Sequence, residues 1–182
     1  MTSGSDMQQG IARDVQRTIR DVPDFPKAGI LFKDITPVLA NAPLFARVTE
    51  AMADPFRDVG ITHVVAIESR GFLLGAPVAQ HLGAGLIPMR KPGKLPWKTL
   101  REEYALEYGT DCLEMHLDAL DSHSRVLVVD DVLATGGTAR AACALAARHA
   151  GQVTGCSFLL ALSFLGGLES LASRRVEVVL TV

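Results

Sequence analysis

The sequence predicts an α/β domain with a mostly parallel central sheet flanked by helices, and two strand–turn–helix units carry that prediction. In one, the apolar run Val126 to Val129 precedes Asp130 and Asp131, a small-residue turn from Ala134 to Thr138 and an alanine-rich helix reaching about Ala150. In the other, His63 to Ile67 runs into Glu68-Ser69-Arg70-Gly71, and a helix from Phe72 to Leu82 follows, stopped by Gly83. Short apolar runs rich in β-branched residues suit strands covered on both faces, as in parallel sheets. The 182 residues, 48% hydrophobic and 21% charged, are enough for one sizeable core, so a single domain over 1–182 is expected.

Along the chain, residues 1 to about 9 are polar and expected to fray. Ile11, Val15 and Ile19 then recur at a spacing of four, which places them on one helical face. The segment 22–37 contains Pro23, Pro26, Gly29 and Pro37, which exclude a regular helix, yet its Phe25, Leu31, Phe32 and Ile35 exceed what a solvated linker needs. It should pack over something. Phe45, Val48, Met52 and Phe56 mark a helix from Pro43 to about Arg57, and Leu86 to Met89 a short strand. From Arg90 to Arg101 come five cations with Pro92, Gly93, Pro96 and Trp97, which reads as a cationic flap. Tyr104 to Gly109 alternates like a strand, Thr110 to Leu117 extends a β ribbon, and Asp118 to Ser124 is a polar connection. Two more apolar strands, Val153 to Ser163 and Val176 to Val182, flank Gly166-Gly167 and a short helix near Leu168 to Ala172.

Charge and cysteine usage narrow the setting. A net charge of −2 gives no reason to expect a nucleic-acid or acidic-membrane partner for the whole surface, so any polyanion site must be local. The most apolar stretch, Phe158 to Leu168, is too short to span a bilayer, and the N-terminus lacks the blocks of a signal peptide. Cys112, Cys143 and Cys156 are scattered and odd in number, as expected of reduced thiols in a cytoplasmic protein. The five histidines show no ligand or triad spacing.

The chemistry concentrates at residues 126–139. Unpaired N–H groups at a helix start, the helix dipole and missing side chains make Ala134-Thr135-Gly136-Gly137-Thr138 an anion cradle. Asp130 and Asp131 would repel a bare phosphate, so the ligand should also carry hydroxyls or a divalent cation; a phosphorylated ribose fits. Neither a Walker loop nor a dinucleotide fingerprint is present. Arg70, in a turn at the carboxyl end of a parallel strand, can fork onto a diphosphate.

Taken in order, apolar strand, two acids, Thr-Gly-Gly-Thr loop and helix resemble the phosphoribosyl pyrophosphate (PRPP) signature of the type I phosphoribosyltransferases. The resemblance implies that family's fold, with a hood at about 22–40, a flexible β-ribbon flap at about 90–109 and the PRPP motif at 126–139. Within it, Asp130 and Asp131 hold the ribose, and Ala134, Thr135, Gly136, Gly137 and Thr138 hold the 5′-phosphate. Pro23-Asp24-Phe25-Pro26 and Gly29 to Pro37 look like the hood of adenine phosphoribosyltransferases. By that match, main-chain groups of Leu31 and Lys33, with Phe32 between them, contact the purine. Lysine stands at 33 where the family often has arginine. Leu162 aligns with the position that stacks on the base, although Ala161 and Leu168 replace a glutamate and an arginine common there.

Ser69-Arg70-Gly71-Phe72 resembles the family's pyrophosphate loop, and Arg90, Lys91 and Lys94 match its basic flap positions, with Pro92 replacing another. Leu106-Glu107-Tyr108-Gly109 resembles the segment that closes over the reacting centre, which would make Glu107 the proton-handling residue and Tyr108 its neighbour. Hypoxanthine-guanine enzymes often carry an aspartate in the phosphate loop, where this chain has Ala134. The implied reaction is adenine plus PRPP giving AMP and pyrophosphate, with Mg²⁺ held mainly through PRPP, by a cytoplasmic homodimer. Two alternatives stand beside it: transfer to another base (xanthine, hypoxanthine, guanine or a pyrimidine), and a non-catalytic PRPP-binding regulator. The latter usually carries a DNA-binding module, and no helix-turn-helix or basic region precedes this core.

Overall fold

A computed structural model describes residues 4–105 and 110–182. Helix α1 (Gly4–Thr18) leads through a hairpin of β1 (Arg20–Pro23) and β2 (Leu31–Asp34) to α2 (Thr36–Ala40) and α3 (Ala42–Ala53). Then come β3 (His63–Ile67), α4 (Arg70–Leu82), β4 (Gly85–Met89) and an antiparallel ribbon of β5 (Thr99–Ala105) and β6 (Thr110–His116). The chain ends with β7 (Arg125–Leu133), α5 (Gly137–Ala147), β8 (Gln152–Ala161), α6 (Gly167–Ser170) and β9 (Val176–Thr181). Among the described residues, no helix is long and apolar enough to cross a membrane.

Five strands form the central sheet in the order β4-β3-β7-β8-β9, every neighbouring pair parallel. From β3 the chain proceeds outward one way to β4, and from β7 the other way through β8 to β9. The order therefore reverses between β3 and β7, and the loops leaving their carboxyl ends diverge to opposite faces, opening a crevice between them.

The apolar runs are buried as the strand reading requires. Val64, Leu127 and Val129 face one side with Val48, Met52, Leu74 and Val78 of α3 and α4. Val65, Ile67, Val126 and Val128 face the other, against Ala142, Leu145 and Ala146 of α5. Small residues set the close approach: a Cβ on Gly75 of α4 would meet the Ala66 Cβ of β3 at 2.6 Å.

Several boundaries differ from expectation. Helix α1 starts at Gly4, well before the expected end of the frayed stretch, with Asp6 in its first turn where the helix dipole favours an acid. Helix α3 stops at Ala53 and continues to Val59 as a 3-10 helix, because Pro55 has no N–H to give the α-helical ladder. In the hood the prolines delimit a hairpin, and Pro37 lies in the first turn of α2, where a missing N–H costs nothing. Strand β7 runs on through the acids to Leu133 instead of ending before them, since β8 is long enough to keep pairing it.

Candidate active site

The length mismatch of β7 creates the site. Its pairing with β3 stops at Val129, opposite Ala66, whereas its pairing with β8 continues through Asp130, Val132 and Leu133. The two acids thus stand where the β3 side of the strand has been vacated, facing the loop that leaves β3. Gly71 lets that loop come close: a Cβ there would lie 2.8 Å from Asp130 Oδ1 and 3.1 Å from the Val129 carbonyl oxygen.

The two carboxylates are not equivalent. Asp131, whose side chain is 7% exposed, accepts a charge-assisted hydrogen bond from Arg70 Nε. Burial pushes the Asp130 carboxyl well above its ordinary range, and the neighbouring Asp131 charge adds to the rise; the Asp131 N–H, donating to Asp130 Oδ1 at 2.8 Å, works against it. Arg70 also lies over the Phe32 ring, 5.2 Å from its centroid, so one guanidinium spans from Asp131 to the hood.

Past β7, the turn is shaped for an anion. Gly136 adopts φ +84, and a Cβ there would collide with Ser170 Oγ, so both conformation and space demand glycine. No side-chain oxygen caps the first turn of α5, which leaves its N–H groups free for a ligand. Thr135, Gly136, Gly137 and Thr138 wall a cavity of about 80 Å³, room for one phosphoryl group. This cavity shares Asp130, Ala134 and Thr138 with a larger one of about 440 Å³. The larger cavity is bounded by Leu31, Phe32 and Lys33 of the hood, Ser69 of the β3 loop, Arg70 at the start of α4, Lys91, Asp131 and Leu162. A phosphate-sized pocket therefore opens into a chamber roofed by the hood.

Arg90 and Lys94, expected beside the diphosphate, are not on the chamber wall. Both turn onto Glu68, the first residue of the loop after β3. Arg90 donates from Nε at 3.2 Å and from Nη2 at 3.4 Å, Lys94 pairs through Nζ, and the Lys91 N–H donates at 3.0 Å. Burial alone would raise the Glu68 carboxyl, but these donors outweigh it and hold it down to about 2. Lys91 sends its ammonium to Asp111 and to Tyr104 Oη at 3.1 Å, and Thr138 Oγ1 lies 3.3 Å from the same phenol. The cationic stretch is thus held down at its base instead of standing free. Glu107 and Tyr108 lie outside the described residues.

Against known proteins, residues 34–162 match the phosphoribosyl transferase domain family. Over 171 residues the chain is 57% identical to the adenine phosphoribosyltransferase of Myxococcus xanthus, covering 94% of this chain and 93% of that one. The chain belongs to the adenine phosphoribosyltransferase family. Its type I phosphoribosyltransferase fold is matched by the crystal structure of the Rhodothermus marinus adenine phosphoribosyltransferase, with a TM-score of 0.90 and 50% identity, covering 96% of this chain and 99% of the other. The Saccharomyces cerevisiae adenine phosphoribosyltransferase, at 36% identity and a TM-score of 0.87, covers 94% and 99%.

Within this phosphoribosyltransferase frame, sequence reading missed Glu68, Tyr104, Asp111 and Glu114. Glu68 did carry a signal, since an acid follows a buried apolar run there just as Asp130 follows Val126 to Val129. Tyr104 and Asp111 carried none, because they meet only through the β5–β6 register. Glu114, 8% exposed, accepts from the Gly93 N–H at 3.0 Å and pairs with Arg101, a partnership that likewise depends on ribbon pairing.

Proposed function

We propose that this protein transfers the 5-phosphoribosyl group of PRPP to adenine, giving AMP and pyrophosphate, and so serves purine salvage. The observation that carries the reading is the continuity of the phosphate-sized pocket with the hooded chamber across Asp130 and Asp131, at the reversal point of the sheet. The Saccharomyces relative was crystallised with adenine together with an imino-altritol bisphosphate, one base and one phosphorylated sugar analogue, the two ligand types this reading requires.

In this reading the 5′-phosphate lies on the N–H groups of the Thr135–Thr138 turn. Asp130 and Asp131 accept from the ribose hydroxyls and favour the positive charge that develops on the ring as the anomeric bond breaks. Arg70 and Ser69, joined by Arg90, Lys91 and Lys94 from the cationic stretch, take the charge of the departing diphosphate. The hood presents main-chain groups of Leu31 and Lys33 to the purine edge, with Phe32 and Leu162 against its faces. Holding attacking nitrogen and anomeric carbon in line supplies much of the rate. Ala134 cannot move a proton, so that work falls to Glu107, with Tyr108 beside it.

Mg²⁺ would be held mainly through PRPP, and the adjacent carboxylates of Asp130 and Asp131 would favour a cation arriving with it. When bound, the ion supplies charge neutralisation on the diphosphate, making it a better leaving group. A homodimer accords with exposed Leu73 on α4, Leu86 on the edge strand β4 and Trp97 before β5. A cytoplasmic location accords with soluble substrates. The deciding experiment is a panel of bases incubated with PRPP and Mg²⁺, following nucleotide formation. Adenine should be converted at least about tenfold faster than hypoxanthine, guanine, xanthine or uracil, in line with discrimination by hydrogen-bond pattern. No AMP from adenine would overturn the reading.

A further inference from the structure

Glu68 carries no role in the reaction described above, yet it is heavily engaged at the chamber mouth. It is 9% exposed, lines the larger cavity, and gathers three donors from a single stretch: the Lys91 N–H, the Arg90 guanidinium and the Lys94 ammonium. Two of those donors remain accessible to solvent, Arg90 at 34% and Lys94 at 46% exposure. Arg90 Nη1 also donates to the Lys94 carbonyl oxygen at 3.3 Å, but the stretch has main-chain ties that involve neither side chain. Arg90 exchanges main-chain hydrogen bonds with Glu114 at 2.8 and 2.7 Å, and the Glu114 carboxylate takes the Gly93 N–H. The cations can therefore leave Glu68 without the loop leaving its seat.

We propose that Glu68 is a positioning residue for the diphosphate: it keeps Arg90 and Lys94 gathered at the chamber mouth while the site is empty, and yields them to the diphosphate of the incoming or departing ligand. The inference rests on the phosphoribosyltransferase reading and adds a specific exchange to it. A diphosphate carries several negative charges against one on Glu68, so it wins the flexible ammonium of Lys94 and the fork of Arg90. Glu68 then keeps the Lys91 N–H as its remaining donor. The exchange makes Glu68 a competitor of the ligand, which weakens diphosphate binding and speeds its release.

The test is titration calorimetry of magnesium pyrophosphate into the full chain and its variants. Glu68→Gln keeps the shape and removes the competing charge, so pyrophosphate should bind about fivefold tighter than to the unaltered protein. In a Lys94→Gln background, the same change should give less than half of that gain on a free-energy scale, because the side chain to be handed over is gone. Affinity that is unchanged or weaker in Glu68→Gln overturns the proposal, as does a gain undiminished in the Lys94→Gln background, which would mark a plain field effect. Should Glu68→Gln not fold, Glu68→Asp, which draws the carboxylate back by one methylene, must shift affinity in the same direction by a smaller factor; any other result overturns the proposal. If the unaltered protein binds no pyrophosphate and forms no AMP, the phosphoribosyltransferase reading falls too. If it does both while Glu68→Gln fails to tighten binding, only the exchange falls.

Discussion

The proposed phosphate cradle and the cation cluster proposed for the diphosphate lie at the mouths of neighbouring strands, but they are built in opposite ways. The cradle is backbone: a glycine at positive φ, an uncapped helix start and small residues around a cavity of about 80 Å³. The diphosphate end is side chain: Arg70 on Asp131, Arg90 and Lys94 on Glu68, Lys91 on Asp111. Main-chain donors are fixed by the fold and are ready for an anion whenever it arrives. Long cations must be held somewhere when no anion is present, and here acids hold them. Rigid groups suit the phosphate that stays on the sugar through the reaction, and exchangeable charges suit the diphosphate that has to leave.

That contrast can be broken most severely at Gly136. Gly136→Val forces a branched residue into positive φ and into Ser170, so kcat/KM for PRPP should fall about 10³-fold or more, read by initial rates at varied PRPP. Glu107→Gln should come next, lowering kcat about 10²-fold while leaving PRPP affinity within about threefold; unchanged turnover would remove Glu107 from the proton work.

Asp130→Asn separates function from stability inside the cradle itself. Turnover should drop about tenfold through weaker ribose contacts, while the melting temperature at pH 8 rises by about 2–4 °C. The sign follows from the raised Asp130 carboxyl: its stabilising contribution is complete below the ordinary aspartate value and is lost as pH rises through the higher folded value. The asparagine variant should therefore gain over the unaltered protein at pH 8 and not at pH 3.5.

The smallest effect is expected at Glu68. Its carboxyl is held at about 2, below the ordinary 4.5, so its contribution is complete above 4.5 and lost as pH falls from there towards 2. Melting temperature plotted against pH should be shallower across that window in Glu68→Gln, with a deficit of about 2–4 °C at pH 7. An identical slope would mean that the three donors contribute nothing to folding.

What was legible in the sequence follows the same division. The β7–α5 unit could be read because its strand, acids, glycines and helix are consecutive, and local residue types set local backbone conformation. The Ser69-Arg70-Gly71 turn could be read for the same reason. The cationic stretch was recognisable by composition, but its tether was not, since Glu68 lies 22 residues before Arg90 and Asp111 lies 20 residues after Lys91. The extension of β7 past its acids was also hidden, because it depends on the length of β8 and the earlier end of β3.

By itself, then, the order of residues determined the main strands of the central sheet and the helices that follow them, that Gly136 lies in a tight turn before a helix, and that Asp130 and Asp131 precede it; each depends on neighbours along the chain. Only the tertiary structure decided that Asp131 is paired while the Asp130 carboxyl is raised, that Arg70 spans Asp131 and the hood, and that Glu68 gathers Arg90 and Lys94. Those facts depend on burial and on partners far away in sequence, and electrostatics and desolvation act through space, where the order of residues carries no distance.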